Sequence, residues 1–187
     1  VAGLAQASGE DERLRTLLDR LFFQRLDADP ENATRLGLDT GPRAGLRSRL
    51  TDVSLAARER SHPRAVLEQR QLRTVDRAKL SRVAAIDYDV VDYQLSGQLK
   101  RRGFGYGTWD GNYAPYILSH LTGPYRELPE FIEGQHPIAS AADADAYLAR
   151  LSALPKVIDD GNALQRADAA RGVFAPDYVL DTALRLM

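Results

Sequence analysis

The sequence predicts an all-α fold: an irregular multi-helix bundle with a long segment rich in glycine, proline and aromatic residues. Apolar residues recur at helical spacing along most of the 187-residue chain, as at Leu14, Leu17 and Leu21. Residues that start helices precede most of these runs. Between residues 103 and 137 the helical period is lost among six glycines and four prolines, so this segment is predicted to be a loop.

Charge and composition exclude several classes of function. The chain has 25 basic and 26 acidic residues and a net charge of −1, whereas nucleic-acid and polybasic membrane binding need a field of one sign. The basic run Lys100-Arg101-Arg102 ends a predicted helix, where cations suit the helix dipole. With no cysteine, disulfides and zinc–cysteine sites cannot form. No apolar run approaches the roughly 20 residues that span a bilayer, so no transmembrane segment is predicted.

The first residues allow two interpretations. Ala5-Gln6-Ala7 matches the small-x-small pattern that precedes signal-peptidase cleavage, which makes residues 1–8 the tail of an export signal and the protein periplasmic or secreted. The alternative is a disordered, alanine-rich terminus. Ser8 then opens a helix as a capping box with Asp11.

Helix-start and helix-stop signals predict the next elements. Asp29-Pro30-Glu31 combines an N-cap carboxylate, proline at the first helical position and an acid in the first turn; Gly37 is placed to end that helix. Residues 43–51 read as a polar connection. A helical stretch from Ser54 to about Val75 is expected to kink or break near His62, because Pro63 follows it.

The clearest long helix runs from Ser81 to about Arg102. Its apolar residues form two neighbouring stripes, and an arc this wide predicts burial on more than one side. The stripes are Val83, Ile86 and Val90, and Tyr88, Val91, Leu95 and Leu99.

Helical signals resume with a second capping box, Ser140 to Asp143. The apolar face predicted after it contains Ala144, Tyr147, Leu148, Leu151 and Leu154. Pro155 is predicted to start a new helix that stops at Gly172. Pro176 starts the last helix, whose apolar pattern continues to Met187 without a C-cap. We therefore expect residues 9–187 to be the helical portion of a larger domain that is truncated at its C-terminus.

The segment from Gly103 to Pro137 is the predicted lining of a groove, since long loops inside compact domains are often functional. Its aromatic residues could form a binding wall with hydroxyl donors. Alternatively, the rings pin the loop to the helices. The residues concerned are Trp109, Tyr113, Tyr116 and Tyr125.

The sequence provides no complete catalytic or metal motif. None of the three histidines has the spacing that zinc prefers on a helix, and Glu133 with His136 is a weak pair because Gly134 and Pro137 interrupt a regular helix. Three pairs of acidic residues are better explained as solvated surface. In the first two pairs the residues are two apart, so on a helix they point to different faces and cannot act together. The three pairs are Asp87 with Asp89, Asp143 with Asp145, and Asp159 with Asp160. No catalytic residue and no metal ligand is assigned.

An ordered set of short motifs resembles the N-terminal part of the bacterial family catalogued as domain of unknown function 885. The resemblance runs from about Leu14 to the end of the chain. The motifs are Asn32-Ala-Thr-Arg-Leu-Gly37, Asp87-Tyr-Asp-Val90, Leu128-Pro-Glu-Phe-Ile132, Gln135-His-Pro-Ile138, Ala146-Tyr-Leu-Ala-Arg-Leu151, and Arg171-Gly-Val173 with Pro176.

The resemblance implies a larger, mainly helical, often exported protein that looks like a zinc metallopeptidase. The zinc motif of the family, His-Glu-x-x-x-His, lies in the C-terminal half and is absent from this sequence. The resemblance therefore implies zinc in the full-length parent and no cofactor in this chain. The implied partners are a peptide substrate and the C-terminal half. Tyr125, Gln135 and His136 are predicted to bind substrate on one wall of its groove.

Two hypotheses remain for function. In the first, the chain is a fragment of an exported metallopeptidase-like hydrolase and is inactive alone. In the second, it is a stand-alone helical binding or scaffold domain without enzymatic activity. A downstream His-Glu-x-x-x-His helix in the reading frame would favour the first hypothesis, and a stop codon the second.

Overall fold

The structure, a computed structural model, describes residues 9–108 and 113–186 and confirms the all-α fold; these residues form helices, turns and loops without a strand. The predicted cap at Ser8, the Ala5–Ala7 signal pattern and Trp109 lie outside the described residues. Two short 3₁₀ helices span Gly41–Ser48 and Arg77–Lys79. The α-helices are α1 (Gly9–Leu26), α2 (Pro30–Arg35), α3 (Leu55–Leu72), α4 (Arg82–Arg102), α5 (Pro124–Gly134), α6 (Ala141–Ala169) and α7 (Asp177–Leu184).

The chain divides into two compact units. Unit 1 contains residues Val1–Gln24 and Arg60–Gly105. Unit 2 contains residues Arg25–Glu59 and Tyr106–Met187. Each unit is therefore built from two separate stretches of the chain.

The core of unit 1 is an aliphatic cluster to which α1, α3 and α4 contribute. Its buried members are Leu14, Leu17, Leu21, Leu72, Val75 and Leu95, and Ala84, Tyr88 and Val91 of α4 pack against it. This confirms one of the two stripes predicted for the long helix. The other stripe is exposed, with Val83 at 71% and Val90 at 50% relative accessibility, so among residues 9–108 and 113–186 α4 is buried on one side, and the predicted burial on more than one side is not seen.

In unit 2 the first 3₁₀ helix contacts both α2 and α6, and α5 packs on α6. Leu26, Ala33 and Leu46 form a small apolar cluster. Gly161 permits close packing of α5 on α6, because a Cβ atom there would lie 3.0 Å from Cγ of Pro124.

The predicted caps are present wherever they fall in the described residues. The Asp29 carboxylate accepts a hydrogen bond from the Asn32 amide at 3.1 Å. The Asp143 amide donates to Ser140 Oγ, which donates in turn to the Asp143 carboxylate at 2.8 Å. Gly37 and Gly172 adopt positive φ angles of 66° and 80° just after their helices, a conformation that favours glycine.

Prolines end fewer helices than the sequence predicts. α3 continues through Pro63, and α6 continues through Pro155, so the predicted helix start at Pro155 is wrong. An internal proline removes one backbone hydrogen bond and costs about 3 kcal/mol. In α6, residues buried on both sides of Pro155 offset that cost, including Arg150 and Val157. Within the predicted loop, α5 is an eleven-residue helix that contains Pro129.

The buried face of α6 also differs from the predicted one. Leu148, placed on the apolar face by its hydrophobicity, is 58% exposed. Polar residues occupy the buried face because partners from other segments satisfy them. That face carries Asp143, Ala146, Arg150, Val157, Gly161, Leu164 and Asp168.

Candidate functional site

Arg150 organises unit 2 from its interior. Its side chain is 0% exposed, which is rare for arginine unless its donors are matched. Its guanidinium donates to the carbonyl oxygens of Arg49, Pro30 and Leu46, at 2.9, 3.3 and 3.1 Å, and to Thr34 Oγ1 at 2.8 Å. Burial lowers the pKa of Arg150 from its ordinary value, and the nearby carboxylates Glu31 and Asp39 oppose that shift.

The Arg150 guanidinium also fixes His136. Nη1 of Arg150 lies 2.8 Å from His136 Nδ1, and His136 Nε2 lies 3.1 Å from the Asp143 carbonyl oxygen. Because arginine can only donate and a carbonyl can only accept, Nδ1 is the acceptor and Nε2 carries the proton. His136, predicted to bind substrate, is buried with both ring nitrogens engaged.

A second cationic group, Arg47, connects two buried carboxylates. It donates to Asp39 at 3.1 Å and to Asp143 at 2.5 Å. Burial by itself would raise the pKa of Asp39, but hydrogen bonds from Arg47 and Thr34 outweigh it and the pKa is lowered. Hydrogen bonds from Ser140, from Arg47 and from the Ala139 amide lower the pKa of Asp143 to about 2.

The interpretation of the acidic pairs as solvated surface is therefore wrong for Asp143, which is buried. Asp143 is 6% exposed, whereas the other member of the pair, Asp145, is an exposed residue. Arg47, 96 residues away, is the partner that makes its burial tolerable. Asp168 on the same helix is buried too, and accepts from Arg58 at 2.8 Å and from the Gly107 amide at 2.9 Å.

Beside this network, unit 2 contains a cavity of about 250 Å³. We call it the α5–α6 cavity. Its apolar lining is contributed mainly by α5, α6 and the loop before α5: Ile117, Pro124, Leu128, Phe131, Val157 and Leu164, with Val53. Its polar lining consists of Asp29, Glu31, Arg35, Thr51, Thr108 and Glu127. A cavity of this kind combines apolar walls with a few polar groups that orient a ligand.

The polar groups of the cavity are held by local contacts. Both carboxylate oxygens of Glu31 accept from the Thr51 amide, at 3.0 and 3.1 Å. The Glu127 carboxylate accepts from the Gly123 amide at 3.1 Å. Arg35 lies over the Phe131 ring, with Cζ 5.1 Å from the ring centroid. Three carboxylates against one guanidinium give the lining a net negative charge.

The three predicted substrate-binding residues lie around this cavity without lining it. The Tyr125 hydroxyl donates to the Ser119 carbonyl at 2.7 Å, and its ring lies beside Gly123, a lining residue. Gln135 is exposed and accepts a 2.7 Å hydrogen bond from Arg35, another lining residue. A role for Tyr125, Gln135 or His136 in binding substrate stays a prediction.

The lining draws strongly on the segment predicted to form a groove, since seven of its residues fall between residues 103 and 137. The residues that sequence reasoning missed come from elsewhere: Asp29, Glu31 and Arg35, which flank or form α2. The Asp29-Pro30-Glu31 signal explains Asp29 and Glu31 as residues that start a helix. It gives no reason to expect a cavity, and it does not include Arg35.

Within residues 9–108 and 113–186, no three histidine, cysteine, aspartate or glutamate side chains are close enough to hold a metal ion together. Nor is any helix of these residues long and apolar enough to cross a bilayer.

The sequence profile of a family described as bacterial proteins of unknown function, DUF885, matches residues 30–187. The chain belongs to this family. The match confirms the family that the ordered motifs predict. A comparison with functionally curated proteins gave no significant match.

The DUF885 chain is also similar to a solved structure, described as that of "the putative lipoprotein from Colwellia psychrerythraea". The two share 18% sequence identity and superpose with a TM-score of 0.81 over 95% of this chain. At this identity the similarity shows the fold alone. The DUF885 chain spans 31% of the length of that protein.

Proposed function

We propose that this chain is the N-terminal helical portion of a larger, exported, zinc metallopeptidase-like hydrolase, and that it forms one wall of the substrate groove. The α5–α6 cavity carries this proposal: it combines an apolar lining with charged groups, and seven of its fifteen lining residues come from the segment predicted to line a groove. Membership of DUF885 supports the parent family. The proposal assigns the zinc and its chemistry to the rest of the parent, because the resemblance implies that the His-Glu-x-x-x-His motif lies there.

The cavity suits the side chain of a peptide substrate. An engineered cavity of about 150 Å³ in another protein binds benzene, so about 250 Å³ can hold a bulky aliphatic or aromatic side chain. The carboxylates of Asp29, Glu31 and Glu127 would favour a neutral or basic neighbour in that peptide over an acidic one. The cavity would thus bind and orient the substrate, while the reacting bond lies elsewhere.

Export is supported by two observations. The similar solved structure is described as a lipoprotein, and Ala5-Gln6-Ala7 matches a signal-cleavage pattern. Mass spectrometry of the native N-terminus tests this part separately. A start well upstream of Ser8, with no cleavage near it, would contradict export through this signal.

The groove wall is tested by Glu127→Gln in the natural polypeptide at its full encoded length. Glutamine retains an acceptor for the Gly123 amide but removes one charge from the lining. For peptides with a basic residue beside an apolar one, we expect KM to rise about two- to fivefold, the value of one exposed charge pair. The kcat should stay unchanged, because the interaction is made equally in the ground and transition states.

Glu130→Gln is the matched control, because Glu130 is an exposed glutamate of the same helix outside the cavity lining. Equal KM values for the two variants would contradict the groove wall. Peptide binding without hydrolysis by the natural polypeptide would instead favour the alternative, a stand-alone binding or scaffold domain. Zinc-dependent peptide hydrolysis by residues 1–187 alone would contradict the assignment of the chemistry to the rest of the parent.

A further inference from the structure

An apolar stripe on α4 is exposed in the part of the chain that the structure describes. The stripe consists of Val83, Ile86, Val90 and Tyr93, whose side chains are 71%, 55%, 50% and 81% exposed. Large apolar groups are often exposed singly, but a contiguous row is a mark of an interface. The opposite face of the same helix already packs in the core of unit 1 through Ala84, Tyr88, Val91 and Leu95. The α4 stripe is therefore a second apolar face.

The spacing of the residues in the α4 stripe indicates that the element covering it is a helix. Its residues lie three, four and three positions apart, which is the a/d pattern of a helix that packs along another helix. Gly97 lies one turn further in the same pattern, and the Arg101 guanidinium borders it, with Nη1 3.2 Å from where a Cβ atom of Gly97 would lie. A helix crossing at about 20° fits this geometry.

The length of the similar solved structure favours the same polypeptide as the source of that helix. It contains this fold within a chain of which our sequence spans only 31%. The stripe itself is short, with four side chains along roughly 16 Å of helix, whereas each partner in a stable complex of separate proteins contributes roughly 20–30 residues. A helix of the same polypeptide avoids the entropy cost of association, so a small apolar contact is sufficient for it.

We propose that the α4 stripe is the docking face for an apolar helix from a part of the same polypeptide outside residues 1–187. The flanks of the stripe carry both signs of charge, with Arg82 on one side and Asp87 on the other. A partner helix with a small or aliphatic a/d seam and mixed charges beside it is complementary to this surface. The proposal shares with the proposed function only its claim of a longer parent and does not depend on peptide hydrolysis.

The test is thiol labelling of Val90→Cys in the natural polypeptide at its full encoded length. Residues 1–187 contain no cysteine, and any cysteine elsewhere is replaced by serine. A small maleimide should label V90C at least tenfold more slowly in the native protein than in urea. Asp19→Cys on α1 is the control, because the Asp19 side chain is 63% exposed outside the stripe; its native and unfolded rates should agree within about threefold.

Rapid labelling of V90C in the folded protein would overturn the proposal. Protection that disappears when the protein is diluted a thousandfold would also overturn it, because a second copy of the chain would then be the occupant. Val83→Cys repeats the measurement at the most exposed aliphatic position of the stripe if V90C fails to fold, as judged by circular dichroism. Labelling reports coverage and not turnover, so an inactive protein with a protected stripe would leave this proposal standing while the hydrolase proposal fails.

Discussion

Replacing Arg150 by methionine should destabilise the protein more than any other single truncation of a charged side chain in unit 2. Methionine retains an apolar stem of similar length and removes all the hydrogen-bond donors. Five acceptors lose a donor, and four of the five bonds are buried while the bond to Arg49 O is part-buried: Arg49 O, His136 Nδ1, Pro30 O, Leu46 O and Thr34 Oγ1.

The five acceptors do not lose equally. Thr34 Oγ1 keeps its hydrogen bond to Asp39, Leu46 O still accepts from the Arg49 amide, and the bond that Pro30 O loses is the longest of the five, at 3.3 Å. Arg49 O and His136 Nδ1 lose the donor shown for them. Losing a partner costs about 1–3 kcal/mol, toward the lower end for Arg49 O, whose bond is part-buried, and toward the upper end for the buried His136 Nδ1. With smaller losses at the other three, the free energy of unfolding should fall by about 4 kcal/mol, after allowing for the relief of burying a charge.

This loss is a large fraction of the roughly 5–15 kcal/mol that stabilises a typical domain. For a chain of this length it corresponds to a decrease in Tm of roughly 8–16 °C. Urea-induced unfolding followed by far-UV circular dichroism measures it. Arg126→Met is the control, because Arg126 is exposed and its side chain donates a hydrogen bond to the His120 carbonyl at 2.9 Å. Loss of this side chain should change the free energy of unfolding by less than about 0.5 kcal/mol.

A second substitution tests the reason for the loss. If stranded acceptors cause it, His136→Leu should cost less in the R150M background than in the wild type, because the donor to Nδ1 is already gone. A decrease of less than about 1 kcal/mol for R150M alone would refute the reasoning. Such a result would mean that water or rearranged side chains satisfy these acceptors.

Two further predictions concern acid stability and backbone geometry. The pKa of Asp143 is lowered to about 2 from 3.8, so its contribution to stability is complete above about pH 4 and is lost as pH falls toward 2. The urea midpoint of Asp143→Asn should therefore fall less steeply than that of the wild type between pH 5 and pH 2. The exposed control, Asp145→Asn, should follow the wild type. Gly107 has a φ of 75° and a Cβ atom there would overlap the Ala114 carbonyl oxygen, so Gly107→Ala should cost about 2 kcal/mol or more. Gly134→Ala, at a helical position with open space, should be neutral or stabilise by about 0.5 kcal/mol; equal denaturation midpoints for these two alanine variants would contradict the role assigned to Gly107.

The comparison between sequence and structure is clearest along α6. Its start at Ser140 and the glycine that follows its end were predictable, since caps depend on residues three or four positions apart. Its continuity through Pro155 and the identity of its buried face were not. Periodicity assigns apolar residues to the core, and α6 instead buries Asp143, Arg150 and Asp168.

The candidate site shows the same division. The segment from residue 103 to residue 137 was identifiable because its glycines, prolines and aromatic residues break the helical period. The cavity also requires Asp29, Glu31 and Arg35 from the region of α2, and nothing local in the sequence brings them to α5. The predicted substrate-binding residues were chosen from motifs: Tyr125, Gln135 and His136. Motifs do not reveal which side chains are already engaged in hydrogen bonds within the protein.

The sequence by itself determined the all-α class, the family and the helix caps, because each depends on the order of neighbouring residues. Only the tertiary structure decided that Arg150 is buried, because its acceptors Arg49 and Pro30 lie 101 and 120 residues away along the chain. It also decided that one face of α4 is buried and the other exposed, although both read as apolar. The physical reason is common to both: burial of a charge or of an apolar stripe depends on the partner that meets it, and that partner is distant in sequence.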